Sequence, residues 1–132
     1  MIVHSDKNLE QLENRSLKSS DLCSHVVTQC NKLWSIPINK LSVENLRLLI
    51  GQNLGLYYLV PIALGILEQD PLADGNLYKG DLLASIASID DKFWSNNRQL
   101  NNRLVNIRNE LILINETISE DLLPKLERYE FT

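Results

Sequence analysis

The sequence predicts an all-α fold, a single-domain helical bundle of about five to seven helices. Three observations carry this expectation. Residues 56–67 are apolar nearly all round, and a helix without a polar face belongs in the middle of a bundle. Phe93, Leu100, Leu104, Ile107, Leu111, Ile114 and Ile118 recur in steps of three, four or seven, a heptad-like stripe over about three heptads. No segment keeps the clean alternation of a half-buried strand. Composition agrees: 44% of residues are hydrophobic but only 6% aromatic, so the core must be aliphatic and rich in Leu, a good helix former.

The elements follow in order. Residues 1–20 are polar, with Leu9, Leu12 and Leu17 the sizeable apolar points after Val3. They support at most a short surface helix, so the expected domain is 1–132 with 1–20 loosely packed. Ser20-Asp21 offers an N-cap. Leu22, Val26, Cys30 and Leu33 then recur at helical spacing, flanked by Cys23, Val27 and Trp34. A strand through 23–30 is the competing reading, since Val26-Val27-Thr28 favours one, but its alternation is poor. Ile36-Pro37-Ile38 ends that helix, because proline disfavours helix at the residue before it.

Ser42 caps the next helix, and Glu44 sits in its first turn, where the helix dipole favours a carboxylate. Leu46, Leu49 and Ile50 mark its buried side, and Gly51 and Gly55 punctuate the turn beyond. Within 56–67, Pro61 either kinks the helix or opens a new one at its first turn. Asp70-Pro71-Leu72-Ala73-Asp74-Gly75-Asn76 is a loop rich in turn residues. Gly80-Asp81 introduces a short helix over 82–89, with Asp81 as its cap. Asp90 and Asp91 open the last long element, which carries the stripe, widened by Val105 and Ile112. Ser119 is placed to cap a final short helix that reaches Pro124 or runs through it to Arg128.

Several function classes are disfavoured. The formal charge of −4 opposes nucleic acid and suits a basic partner. Cys23 and Cys30 would lie about 10 Å apart along a helix axis, beyond the roughly 7 Å a disulfide spans, so reduced cysteines of a cytoplasmic protein are expected. Residues 1–6 carry no basic flank or apolar core of a secretion leader, and the apolar run ending at Leu67 is too short to span a bilayer. Cys23, His25 and Cys30 lack the second ligand pair of a zinc site. Asp70, Asp74, Gly75 and Asp81 imitate a calcium loop, but Leu72 stands where an oxygen is needed and Asp81 where a bidentate Glu is usual. His4 and His25 sit in no nucleophile motif, and the five glycines fit no phosphate-binding fingerprint. No cofactor is expected.

The charges are segregated. Lys92, Arg98, Arg103 and Arg108 run without an acid between them. Beyond them come Glu110, Glu116, Glu120, Asp121, Glu127 and Glu130 against Lys125 and Arg128. Asp70, Asp74, Asp81, Asp90 and Asp91 face Lys79 alone between 70 and 91. A solvated face is the plain reading of each cluster, and an acidic surface for a basic partner is the functional one.

One stretch resembles a known family. The run Leu41-Ser42-Val43-Glu44-Asn45-Leu46-Arg47-Leu48-Leu49-Ile50-Gly51-Gln52-Asn53-Leu54-Gly55-Leu56 is similar to immunity proteins of bacterial contact-dependent growth inhibition systems. The similarity continues through Tyr58-Leu59-Val60-Pro61-Ile62-Ala63-Leu64, through 70–83, and to Phe93-Trp94. Upstream, Leu9-Glu10-Gln11-Leu12-Glu13 and Val26, Cys30 and Leu33 also look similar, and the part after Trp94 departs from the pattern. The resemblance implies a cytoplasmic inhibitor that binds one toxin domain, often a nuclease directed at transfer RNA, with no catalysis, metal, cofactor, direct nucleic-acid contact or membrane. As monomer or dimer, it would cover the toxin's active or substrate-binding surface. The motif residues read as scaffold, so specificity is expected on exposed side chains: Asp74, Asp90 and Asp91, with Tyr78 as an aromatic anchor. The acidic tail of Glu116, Glu120 and Asp121 is an equal rival. Two alternatives stand beside this reading: a helical adaptor that pairs through the Leu100–Ile118 stripe, and a metal-assisted hydrolase using Asp70, Asp74 and Asp81.

Overall fold

The computed structural model describes residues 6–15 and 24–132, without the side chains of Ser24, His25 and Val27. His4, Leu17, the Ser20-Asp21 cap, Leu22, Cys23 and the His25 side chain thus lie outside the described residues. The architecture is all-α, with no strand among those residues. Its elements are α1 Leu9–Glu13, α2 Ser24–Trp34, a 3-10 turn Ile38–Lys40, α3 Val43–Gly51, α4 Leu56–Gln69, α5 Asp81–Ala87, α6 Asp91–Asn96, α7 Arg98–Glu116, a π-helical segment Thr117–Leu122 and α8 Leu123–Leu126. The last three form one unbroken rod, which brings the number of continuous helices to seven among the described residues.

Helix α4 is the centre. It buries Leu59, Val60, Ala63, Leu64 and Leu67, as a helix apolar on most sides must. Pro61 lies inside it and opens no new helix. Helix α3 lays Leu46, Leu49 and Ile50 against α4 and α5. Its Ser42 cap is as expected: the hydroxyl accepts from the Asn45 N–H (3.1 Å) and the Asn45 amide oxygen accepts from the Ser42 N–H (3.0 Å). Helix α2 adds Cys30, Leu33 and Trp34, so the helical reading of that stretch prevails over the strand.

The short α1 is tied into the core. Asn8 and Gln11 cap each other reciprocally, and Leu9 is fully buried. Leu9 closes over Gly55, which caps α4 with φ 62°. A Cβ on Gly55 would stand 2.8 Å from a Leu9 methyl, so this position needs glycine for both space and backbone. Tyr58 donates from its hydroxyl to the Leu12 carbonyl (3.1 Å), and Ile38 N–H donates to the Lys7 carbonyl (2.9 Å).

Three boundaries differ from expectation. Helix α5 is capped by Gly80, with Asp81 already inside the helix, because the Asp81 carboxylate is used elsewhere. Asp90 and Asp91 open only the six-residue α6, with Asp90 accepting from Lys92 N–H (3.1 Å). The chain then breaks at Asn97 before α7 begins. Ser119 caps nothing, since it lies within the π-helical segment of a continuous rod.

The rod has two unlike halves. Up to Ile107 it packs on α4 through Leu100, Leu104 and Ile107. Arg103 fastens it by two bonds to Glu68 (2.9 and 2.8 Å). From residue 115 to 132 every residue is exposed. The stripe read from the sequence is therefore core at one end and surface at the other.

This division predicts a contrast. Leu64→Ala should cost about 2–5 kcal/mol, since it opens a cavity in a filled core. Leu113→Ala, on the exposed half of the rod, should stay within about 0.5 kcal/mol of the parent chain. Urea denaturation followed by circular dichroism measures both.

Candidate functional site

Between α4 and α5 the chain makes a loop over 70–80 whose backbone is held from inside. Four consecutive N–H groups point at two carboxylates. Gly75 donates to one Asp81 oxygen (2.7 Å), and Leu77 (2.9 Å) and Tyr78 (3.4 Å) donate to the other. Asn76 donates to Glu44 (2.9 Å), which reaches across from α3. Arg47 closes the group. It binds Glu44 with two bonds of 2.7 and 2.6 Å and stands 3.9 Å from Asp81. Asp81 is only 2% exposed, so this arrangement meets the requirement that a buried charge be paired and hydrogen-bonded.

At Gly75 the loop lies tight against α3. A Cβ there would lie 3.0 Å from the Glu44 Cα, a backbone atom that cannot swing aside. The loop entrance is an Asx turn: Leu72 N–H donates to the Asp70 side chain (3.1 Å) and Ala73 N–H to the Asp70 carbonyl (3.0 Å). Gly80 N–H then closes back on the Leu72 carbonyl (3.2 Å).

The electrostatics agree with the geometry. Burial pushes the Asp81 carboxyl up, but the N–H groups of Gly75, Leu77 and Tyr78 and the charge of Arg47 outweigh it and leave the group below its ordinary value. The bonds from Arg47 lower Glu44 against its own desolvation, and the Asn76 N–H adds to the effect. Burial alone raises the thiol of Cys30, which is held in the core as an unreactive hydrophobe.

With its backbone fixed, the loop turns Ala73 inward and presents Asp74, Leu77 and Tyr78 outward. Leu77 is 64% and Tyr78 56% exposed. Apolar and aromatic side chains carried on a fixed backbone beside a carboxylate are the makings of a protein-binding surface. Asp90 and Asp91 are exposed at the start of α6, and Asp91 borders a shallow hollow with Trp94, Ser95 and Arg98. Glu116, Glu120 and Asp121 stand on the free half of the rod. The seven residues named from the sequence thus fall on three elements: Asp74 and Tyr78 share the loop, Asp90 and Asp91 share a helix start, and the three tail acids share the rod.

Sequence reasoning missed Leu77 as part of the exposed loop, and Glu44 and Arg47 as the groups that shape it. A leucine stranded between Asn76 and Tyr78 in a turn-rich stretch was the available signal for the first. For the second there was none, since Glu44 and Asn76 are 32 positions apart. The loop carboxylates do not converge on a metal. Both Asp81 oxygens face backbone N–H groups, and no group of three or more His, Cys, Asp or Glu among the described residues could hold an ion. No described helix is long and apolar enough to cross a membrane.

A family model described as CDI immunity proteins matches residues 11–104, which take in α3, α4, the loop, α5 and α6. No curated protein and no solved structure matches.

Asp81→Asn would turn an amide N–H toward backbone N–H donors. It should cost about 2–3 kcal/mol, the scale of a buried polar group left unsatisfied, and speed amide exchange at Gly75, Leu77 and Tyr78. The pH dependence has a definite sign. Asp81 and Glu44 both have folded values below their unfolded ones, so their contribution is fully present above the ordinary carboxyl range of about 4. It is lost as pH falls through the lowered folded values. Acid titration followed by tryptophan fluorescence should therefore show stability falling below about pH 4, less steeply in Asp81→Asn.

Proposed function

The chain belongs to the CDI immunity proteins, and from that premise we propose that it neutralises the toxin domain of a contact-dependent growth inhibition system by binding it. The family match carries this reading. The match covers the pinned loop, and we place the toxin-binding surface there, on Asp74 and Tyr78 with Leu77, extended by Asp90 and Asp91. Held by its backbone, the loop loses little freedom on binding, which favours affinity. Tyr78 is the expected anchor.

In this proposal the toxin is a basic nuclease, and the inhibitor acts in the cytoplasm by occupying the surface that would take phosphates. The net charge of −4 and the exposed Asp70, Asp74, Asp90 and Asp91 support that choice through complementarity. The protein performs no reaction of its own and needs no cofactor. The tail acids Glu116, Glu120 and Asp121 are the rival surface, and they lie beyond the matched residues.

The test is co-expression with the toxin domain encoded beside it, followed by titration calorimetry on the purified pair. Binding and rescue of growth are expected. Tyr78→Ala should weaken binding by about 2 kcal/mol or more, the cost of removing an interface anchor. Charge reversal at Asp74, Asp90 and Asp91 should slow association and flatten its dependence on salt. Reversal of Glu116, Glu120 and Asp121 should leave both unchanged. The opposite pattern moves the surface to the rod, and a toxin that neither binds nor is inhibited overturns the function.

A further inference from the structure

The free half of the rod carries an apolar face that nothing in the bundle covers. Leu111 and Ile114 are half-buried, and Ile118, Leu122 and Leu126 are exposed. These five continue the face that Leu100, Leu104 and Ile107 lay on α4. A regular α-helix would carry the later members round to the flank. Here Leu123 N–H bonds the Ile118 carbonyl, a five-residue step that takes up the drift and keeps Leu122 and Leu126 in line. A groove of about 300 Å³ runs beside it, lined by Glu110, Leu113, Ile114, Thr117, Ile118 and Leu122.

We propose that this face pairs with the same face of a second copy of the chain, antiparallel and centred on Ile118. The charges favour this occupant. Counted at about 100° per residue back from Ile118 and outward from Leu126, which the π segment holds in line with it, Glu110 and Lys125 fall on one flank of the face, and Arg108 and Glu127 on the other. An antiparallel two-fold pairing brings like flank to like flank. In the register centred on Ile118, Glu110 meets Lys125 of the other copy and Arg108 meets Glu127, each twice. Ile112 meets Leu123 beside them, and Ile114 meets Leu122 across the centre. The free cations and acids are thus placed to satisfy one another. Glu110, Lys125 and Glu127 have no ion-pair partner among the described residues, and Arg108 bonds only the neighbouring Asn109. A parallel pairing would instead set the acids of 116–130 beside their own copies. The contact is isologous and closed, so it yields dimers and not filaments.

The pairing spans residues 111–126, about 24 Å of helix at 1.5 Å per residue, at the small end of specific interfaces. It lies outside the residues matched to the family, 11–104, so it is separate from the proposed toxin surface on the loop.

Sedimentation equilibrium of the full chain tests it. The mass should rise with concentration from 15.1 kDa to twice that value. Ile118→Glu sets two carboxylates against each other at the centre and should hold the chain at monomer mass, while circular dichroism shows an unchanged fold, since position 118 is exposed. Glu110→Lys or Lys125→Glu alone should weaken dimerisation by about three- to tenfold at low salt. Both together should restore it. A wild-type chain that stays monomeric up to hundreds of micromolar overturns the proposal. So does a dimer indifferent to Ile118→Glu, or a double swap that fails to rescue. If the face becomes protected only when the toxin domain is added to a monomer, the toxin is its occupant and the proposal is likewise overturned. Growth protection measured on the same variants keeps the two readings apart: a monomeric but protective wild type fails the dimer alone, and a dimeric but unprotective one fails the toxin reading alone.

Discussion

Two carboxylates that answer four successive backbone N–H groups hold an exposed loop of this molecule in shape. Asp81 and Glu44 come from α5 and α3, the two helices with the most extensive mutual packing, and Arg47 neutralises both. The loop needs the helix pair to bring its acceptors together. The helix pair in turn tolerates a nearly fully buried aspartate only because the loop supplies the donors. Remove either and the other carries an unsatisfied group.

Much of the fold was legible from residues alone, for reasons that hold at short range. Ser42 and Asn45 cap α3 across three residues, and Pro37 ends α2, because these effects act within one turn. The all-round apolarity of 56–67 named the central helix, since nothing else can shelter such a surface. What escaped is what depends on distant partners. Asp81 stands where a helix cap is common, and only the placement of Gly75, Leu77 and Tyr78 shows that its oxygens serve the loop. The stripe of the last helix was read correctly in period but not in fate. Periodicity reports which residues share a face, and how far a neighbouring helix extends decides whether that face is covered. Helix α4 covers it at Ile107, and from residue 115 on every side chain is exposed.

The candidate surface was legible in part. Asp74 and Tyr78 were named for their residue types in a turn-rich stretch, and the loop does present both to solvent. Asp90 proved to be a working cap, so its side chain already has a structural task at Lys92 N–H. The division of the chain into a matched body and the unmatched part of the rod beyond residue 104 also divides its chemistry. The body holds a buried ion cluster and a filled core, and the rod displays leucine and isoleucine beside unpaired charges.

The way the loop is held has a consequence for how such a protein can change. Its shape is fixed through main-chain N–H groups, which every residue but proline provides. The side chains at 74, 76, 77 and 78 are therefore nearly idle in folding, and only Gly75, pressed against Glu44, is bound to its identity. Recognition residues can be exchanged one after another while the framework keeps its stability. A lineage could thus follow a drifting opponent by rewriting four outward-facing letters, without passing through an unfolded ancestor.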